Sequence, residues 1–487
     1  MNIYKLANSD YLKLLPILAL AFYMAFIPHL NYPYPIHLDE WTHLACSNEI
    51  IKEASAVGLS NPFSGGGPIP NQSLEVGFHL FWAVFHQLSG IPWLTIFRYF
   101  PGIILIITVL SVYILARREG FGWEAALLTC LIPTTVGILG PAFMVPIAMG
   151  LLFIPLSLFI AFNFRNWWSY VVLFILFAFL LSLHSATAVG LVIILAPYIL
   201  INLKGNFKHS LGITLVLAAP FLAALPWLFP TLVLPTVKSL FSPQPVLSYV
   251  DVPRVIHIYG YLPILLCLLG TFVLTIRGGT KNYSLLFGLL ALLVMLATFF
   301  TFHYGIPMMY YRGLIYAMLM VSIVAGAGLM GVKNLRLPAG VSARLNAPLI
   351  TQNAGKLLCL ILIGLTLFMC IPERHDIPYY RMIDQEDYEA FIWIKANVDD
   401  SYDKAVVDPW KASAFTAITE KKICSRIGEY PTPSDEEAHR FLQNGCTDTN
   451  FMKNNGISIV YTRGNCNNPA LTQAREHVYL LKEAEPQ

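Results

Sequence analysis

Apolar runs of about 20 residues, the length that crosses a bilayer, fill the chain from its N-terminal region to Ile371, with short polar breaks between them. The pattern predicts eleven spans, roughly 12–30, 100–116, 123–140, 142–163, 168–184, 186–203, 210–230, 256–276, 283–301, 311–331 and 355–371. Leu139-Gly140-Pro141 marks a hairpin or a kink, and the two segments flanking His184 lie close together. After Ile371 the periods shorten to those of soluble helices and strands. Helices are expected over Asp387–Ala396, Pro409–Ile418 (after a turn) and Asp435–Gln443, with strands over Lys404–Asp408 and Gly456–Thr462. The expected fold is a polytopic α-helical membrane protein of about eleven transmembrane helices with a small C-terminal extracytoplasmic α/β domain. Its domains are a membrane domain over 1–371, containing a first outer loop at 31–99, and the α/β domain over 372–487.

That loop has structure of its own. Pro33 and Pro35 end the first helix, because proline disfavours helix in the residue before it. A second helix, His37 to Val57, has the mixed apolar and charged pattern of a segment lying along the interface. Asp39 and Glu40 fall in its first turn, where the helix dipole favours negative charge. Asn61 to Pro68 reads as a linker, and Glu75 to Gly90 as an amphipathic or shallow helix carrying His79 and His86.

Composition supports this picture. Of 487 residues, 56% are hydrophobic and 12% charged, against about 25% charged in soluble domains. The net charge of +3 hides an asymmetry: residues 372–487 hold 13 Lys+Arg and 19 Asp+Glu, and the rest of the chain 18 and 9. Basic residues set orientation. With the N-terminus inside, thirteen of those 18 fall on the cytoplasmic side and five (Lys52, Arg98, Lys238, Arg254, Arg312) outside. The expected location is therefore the plasma membrane, with the N-terminus cytoplasmic and the acidic tail outside. The first apolar segment lacks a small-residue cleavage site and reads as a span. The longer polar elements, 31–99, 231–255 and the tail, all fall outside, so the chemistry is expected there. Nucleotide-activated donors are scarce on that face. A transferase there needs a donor delivered through the membrane, and no nucleic-acid partner is expected.

Asp39 and Glu40 are two of only nine carboxylates before Pro372. Adjacent carboxylates at a membrane surface suit a divalent cation or proton removal from a hydroxyl; the alternative is an acidic helix start. Other metal chemistry is poorly matched. Glu40-x-x-His43 is half of a di-iron motif whose other half is missing. No Cys-x-x-Cys occurs. Outside the spans Cys424, Cys446 and Cys466 permit one disulfide among themselves, with the pair left open.

A carboxylate pair just after the first span, a long first outer loop, many spans and an outer C-terminal domain together resemble the GT-C class of integral membrane glycosyltransferases. This class includes protein O-mannosyltransferases, aminoarabinose transferases and the oligosaccharyltransferase catalytic subunit. Asp39-Glu40-Trp41 fits one form of its first-loop motif. Glu75-Val-Gly-Phe-His79, Leu183-His184-Ser-Ala-Thr and Tyr310-Tyr311-Arg312 are similar in kind to segments of such enzymes. The resemblance implies a glycosyltransferase taking a hexosyl or pentosyl group from a polyprenyl-phosphate-linked donor, such as a dolichyl-phosphate sugar. The acceptor would be a protein, lipid or glycan on the outer face. It implies Asp39 and Glu40 as catalytic carboxylates, and as ligands where a magnesium or manganese ion takes part. Arg312, with Arg254, is implied as the cation for the donor phosphate, and His37, His43, His79 and His184 as further site candidates.

One departure is informative. The Trp-Trp-Asp-Tyr-Gly signature of oligosaccharyltransferases is expected near Val406–Ala412 and does not occur there. Single-sugar transfer is therefore expected over en bloc transfer to asparagine. Trp410 and Tyr430 are candidates for sugar stacking, with packing as the plainer reading. A transporter or flippase would carry ionisable residues within the spans and internal repeats, and neither is found. A non-catalytic assembly protein for envelope polysaccharide would be indifferent to Asp39.

Overall fold

Pro133, Gly140 and Pro141 decide where the chain departs from its apolar pattern. The expected span at 123–140 is helical only over Gly122–Thr129. The structure, a computed structural model, describes residues 10–64, 75–135, 137–234, 237–238, 242, 252–305, 307–336, 348–377, 379, 381–428 and 431–482. Its described residues between 130 and 145 form no helix or strand, yet all are buried. Proline cannot continue the hydrogen-bond ladder, and a Cβ on Gly140 would collide with the Pro133 carbonyl. Irregular backbone is tolerated in a membrane protein only where the protein itself satisfies it. Arg374 does so by donating to the carbonyls of Leu131 and Ile132, the latter at 3.0 Å. The Thr134 hydroxyl accepts the Ala142 N–H at 3.1 Å.

Eight helices among the described residues are long and apolar enough to cross a membrane. A ninth span results if Val252–Tyr259 and Tyr261–Arg277, bent by 86°, are taken together. Gly260 makes that bend at φ +94°, a value that L side chains rarely adopt. The protein is thus a polytopic helical membrane protein with a C-terminal α/β domain.

Contacts divide the chain into a membrane unit, residues 1–30 and 99–378, and a loop–tail unit, residues 31–98 and 379–487. The membrane unit is built on helix Pro307–Lys333, buried at every residue from Gly313 to Met330. It packs against helices Tyr261–Arg277, Gly122–Thr129 and Ser185–Asn202. Small residues permit the close approach: a Cβ on Gly270 would strike the Val324 carbonyl, and one on Gly328 the Leu266 carbonyl. By contrast, apolar helix Asn353–His375 is only 22% buried within the protein. Its exposed Leu360 and Phe368 need lipid around them.

In the loop–tail unit a five-stranded sheet runs in the order β2-β1-β3-β5-β4. Strands β1 (Lys404–Val406), β2 (Lys422–Ile423) and β3 (Ile459–Tyr461) are parallel, while β5 (Val478–Leu481) pairs antiparallel with β3 and with β4 (Leu471–Arg475). Helices Gln385–Asn397, Ala412–Thr419, Pro433–Gln443 and Thr449–Asn455 accompany it. Of the three tail cysteines, Cys446 and Cys466 are bonded and Cys424 is free.

The first-loop helix, Leu38–Glu53, packs against tail helix Ala412–Thr419 and loop helix Val76–Ser89. The Asn48 amide donates to the Ala417 carbonyl (3.0 Å), and the Ile423 N–H to the Phe63 carbonyl (2.9 Å). The Tyr32 hydroxyl donates to the Ile383 carbonyl (2.6 Å). Buried Trp41 and Phe415, one from each segment, are among the largest side chains of this unit's interior.

Candidate active site

The start of helix Leu38–Glu53 treats its two carboxylates differently. His37 is the N-cap, with φ −117° and ψ 149°. Its Nδ1 accepts the Asp39 N–H at 3.1 Å. Three residues on, Glu40 folds back, and its Oε2 accepts the N–H groups of Ile36 (2.7 Å) and His37 (2.9 Å). This is the reciprocal capping box, with histidine in the usual serine or threonine position. Glu40 is fully buried by it. The Asp39 side chain is 39% exposed, and its closest basic neighbour is His37 Nδ1 at 3.7 Å. Because that nitrogen accepts an amide proton, His37 is neutral in this arrangement and gives Asp39 no formal counter-charge.

One turn further, Thr42 and His43 share the Asp39 face of the helix. His43 Nδ1 and His79 Nε2, from helix Val76–Ser89, are hydrogen-bonded at 2.9 Å, with Glu75 4.0 Å from His43 Nδ1. Burial pushes His79 down to about 3, so that ring stays uncharged at neutral pH. Thr42 Oγ1 accepts a hydrogen bond from the Arg426 guanidinium at 3.2 Å. That guanidinium also lies over the Phe63 ring, 4.0 Å from its centroid. Burial pushes Arg426 down, and the negative charges of Asp39 and Asp435 oppose the shift.

The membrane unit holds the remaining candidates. His184 caps helix Ser185–Asn202, its Nδ1 at 2.6 Å from Thr187 Oγ1, which is 2.8 Å from the Tyr316 hydroxyl. Tyr316 follows Arg312 by one turn on the buried helix, and the Arg312 charge bears on His184. Arg312 is half-buried and has no ion-pair partner among the described residues. Arg254 is exposed on Val252–Tyr259. Trp410 is exposed, whereas Tyr430, residues 65–68 of the linker and much of the 231–255 loop lie outside the described residues.

Asp39, Glu40, His37, His43 and His79 thus share one unit, and Arg312, Arg254 and His184 the other. Sequence reasoning missed Arg426 and Thr42 beside Asp39, and Thr187 and Tyr316 beside His184. The i, i+4 spacing of Arg312 and Tyr316 was the one available signal. As a metal centre the carboxylate pair fits poorly. Glu40 Oε2 is turned to backbone amides, and no group of three or more His, Cys, Asp or Glu suited to an ion gathers among the described residues.

No family model and no curated relative matches this chain. Solved structures do. The oligosaccharyltransferase of Archaeoglobus fulgidus in its apo form aligns with 92% of this chain and 69% of its own, at 13% identity and a TM-score of 0.61. The same enzyme has been solved with an inhibitory peptide and a dolichol-phosphate, and with zinc and sulfate. ArnT from Cupriavidus metallidurans bound to undecaprenyl phosphate aligns over 98% of this chain and 99% of its own, at 12% identity and a TM-score of 0.58. The mycobacterial arabinofuranosyltransferase AftD aligns with 98% of this chain but 40% of its own, at 13% identity and a TM-score of 0.60. All three are GT-C glycosyltransferases, and the fold of this chain is GT-C-like.

Proposed function

We propose that this protein is a membrane glycosyltransferase that moves a single sugar from a polyprenyl-phosphate-linked donor to a hydroxyl acceptor on the outer face, with Asp39 as general base. The GT-C-like fold and neighbours solved with dolichol-phosphate and undecaprenyl phosphate support the donor class. The observation that carries the assignment of the base is the division of labour at residues 39 and 40. Glu40 is committed to the helix cap, while Asp39 is exposed and has no Lys or Arg in ion-pair reach among the described residues.

Asp39 takes the proton of the acceptor hydroxyl. The acceptor oxygen forms a bond to the anomeric carbon, the bond from that carbon to the phosphate oxygen breaks, and its electron pair leaves with the lipid phosphate. Arg312, in the membrane unit, is the cation assigned to that phosphate, since a fixed positive charge stabilises a developing anion more in the transition state than before it. No step runs through a metal.

The test is transfer from a panel of radiolabelled polyprenyl-phosphate sugars to cell-envelope acceptors, comparing wild type with Asp39→Asn in membranes. General-base loss lowers transfer by about 10²–10⁴-fold, with normal protein levels expected. Equal transfer would remove Asp39 from the mechanism. Labelled-sugar flux without transfer in proteoliposomes would replace the enzyme by a transporter.

A further inference from the structure

Arg426 is a mostly enclosed guanidinium without a carboxylate partner. Among the described residues no Asp or Glu lies within the 4.0 Å of an ion pair; it has a single hydrogen bond, to Thr42, and one face against Phe63. Removing a charge from water without a partner is costly, so a fold that keeps one this way needs a reason. Lys411, in the same unit, shows the ordinary arrangement, 2.7 Å from the buried Asp387 carboxylate.

The loop carrying Arg426 is fixed. The Cys424 N–H donates to the Ala405 carbonyl (2.7 Å) and the Ile427 N–H to the Pro409 carbonyl (3.2 Å), while Ile423 is tied to Phe63. Thr42 is held in turn: its hydroxyl lies 3.1 Å from the Leu38 carbonyl and 3.4 Å from Ser413 Oγ. An arginine offers five N–H donors in a planar fork. None of the Arg426 nitrogens is sealed from solvent without a partner, so the donors not used on Thr42 keep some contact with solvent. Thr42 follows Asp39 by three positions, which puts the two on one face of the helix. The result is a pre-positioned cation beside the exposed carboxylate, close enough for the two charges to interact and too far for them to pair.

We infer that Arg426 binds an oxyanion, a phosphate or a carboxylate, carried by the acceptor next to the hydroxyl that Asp39 deprotonates. This rests on the reading of Asp39 as base. In a single in-line displacement the nucleophile and the leaving phosphate lie on opposite sides of the anomeric carbon. A cation on the base's own helix face therefore belongs to the acceptor. The forked donors match a planar or tetrahedral oxyanion in a way that a lysine does not. The acceptor class is thereby narrowed to acidic molecules: phosphate-bearing lipids or glycans, or sugars with a carboxylate.

The test uses the full-length protein in detergent and two probes, inorganic phosphate and glucuronate. Binding is read from the shift in thermal midpoint against matched chloride. Wild type is expected to bind at least one probe saturably, and the preferred probe separates a phosphate from a carboxylate source. Arg426→Gln should weaken that binding at least tenfold, and Arg426→Lys severalfold. Thr42→Val, which leaves the charge but removes its anchor, should also weaken it and covers the case in which Arg426→Gln does not fold. Asp39→Asn should bind the anion at least as tightly as wild type, so the anion site is read separately from catalysis. Absence of binding above chloride in wild type, or wild-type affinity in the Arg426 variants, overturns the inference.

Discussion

Two helices of the loop–tail unit begin alike and end up with opposite electrostatics. Helix Leu38–Glu53 and helix Gln385–Asn397 each start with a capping box, closed by Glu40 in one and Asp387 in the other. In the second, each carboxylate of the first turn meets a positive or protonatable group. Asp387, 1% exposed, is 2.7 Å from Lys411 and 3.1 Å from Arg463, and accepts the Tyr461 hydroxyl at 2.6 Å. Asp384 pairs with Arg463, which holds its carboxyl far below the usual range, and Glu386 lies 2.8 Å from His477. In the first, Glu40 accepts the Ile36 and His37 amides, and among the described residues the adjacent Asp39 has no lysine or arginine in ion-pair reach. One terminus is finished as structure. The other carries a charge without such a partner among the described residues, and that difference, more than the presence of two acidic residues, is what the proposed role of Asp39 rests on.

Substitution at the two positions tests the comparison most sharply. Asp39→Asn is expected to lower transfer by about 10²–10⁴-fold while leaving the protein folded. The matching change at the other terminus should have the reverse signature. Asp387→Asn removes a buried anion from the partly exposed Lys411 and Arg463, a change expected to cost less than the about 3–5 kcal/mol of a fully buried pair. Amide exchange should accelerate through helix Gln385–Asn397 and its neighbours on the sheet. If Asp387→Asn instead left exchange unchanged, the paired network would be ornamental and the contrast with Asp39 would lose its meaning.

A smaller effect concerns the neutrality of the Asp39 surroundings. Burial lowers the folded-state pKa of His79 to about 3, against about 6.5 when unfolded. Between those values the unfolded chain binds more protons, so stability rises with pH. The contribution is fully present above about pH 6.5 and is lost as pH falls towards 3, with a slope of up to about 1.4 kcal/mol per pH unit. Hydrogen exchange in helix Val76–Ser89 across pH 4–7 should show that slope in wild type and a flatter one in His79→Gln. A flat wild-type profile would mean that the His79 ring is charged or open to solvent in the folded protein.

Much of this architecture can be read in the sequence, and what cannot has a physical reason. Long apolar runs give the membrane spans because length and hydropathy suffice to cross a bilayer. The failure at 123–140 arises because a buried irregular segment is as apolar as a span; its satisfaction by Arg374 comes from 242 positions away. Helices Gln385–Asn397, Ala412–Thr419 and Pro433–Gln443 and strands β1 and β3 follow from their periods, whereas helix Thr449–Asn455, the short β2 and the β4–β5 hairpin carry too few residues to show one. The candidate base was visible from its place after the first span. Its company was not: Thr42 and Arg426 are separated by 384 positions, and no local pattern encodes such a pairing. The grouping of residues 31–98 with the tail rests on contacts of the same long range.

The smallest effect decides how the acidic pair divides. The spacing of His37 and Glu40 is that of a capping box, and the structure shows the box closed, so Glu40→Gln keeps an acceptor oxygen and loses only the charge assistance. The expected cost is about 1 kcal/mol, the typical worth of a cap, with faster exchange at the Ile36 and His37 amides and transfer within tenfold of wild type. The alternative outcome is equally specific. If Glu40→Gln abolished transfer as fully as Asp39→Asn while those two amides kept their protection, Glu40 would act in the chemistry through its charge and not through the cap. The two helix starts would then differ because one has two reactive carboxylates, where the proposal gives it one.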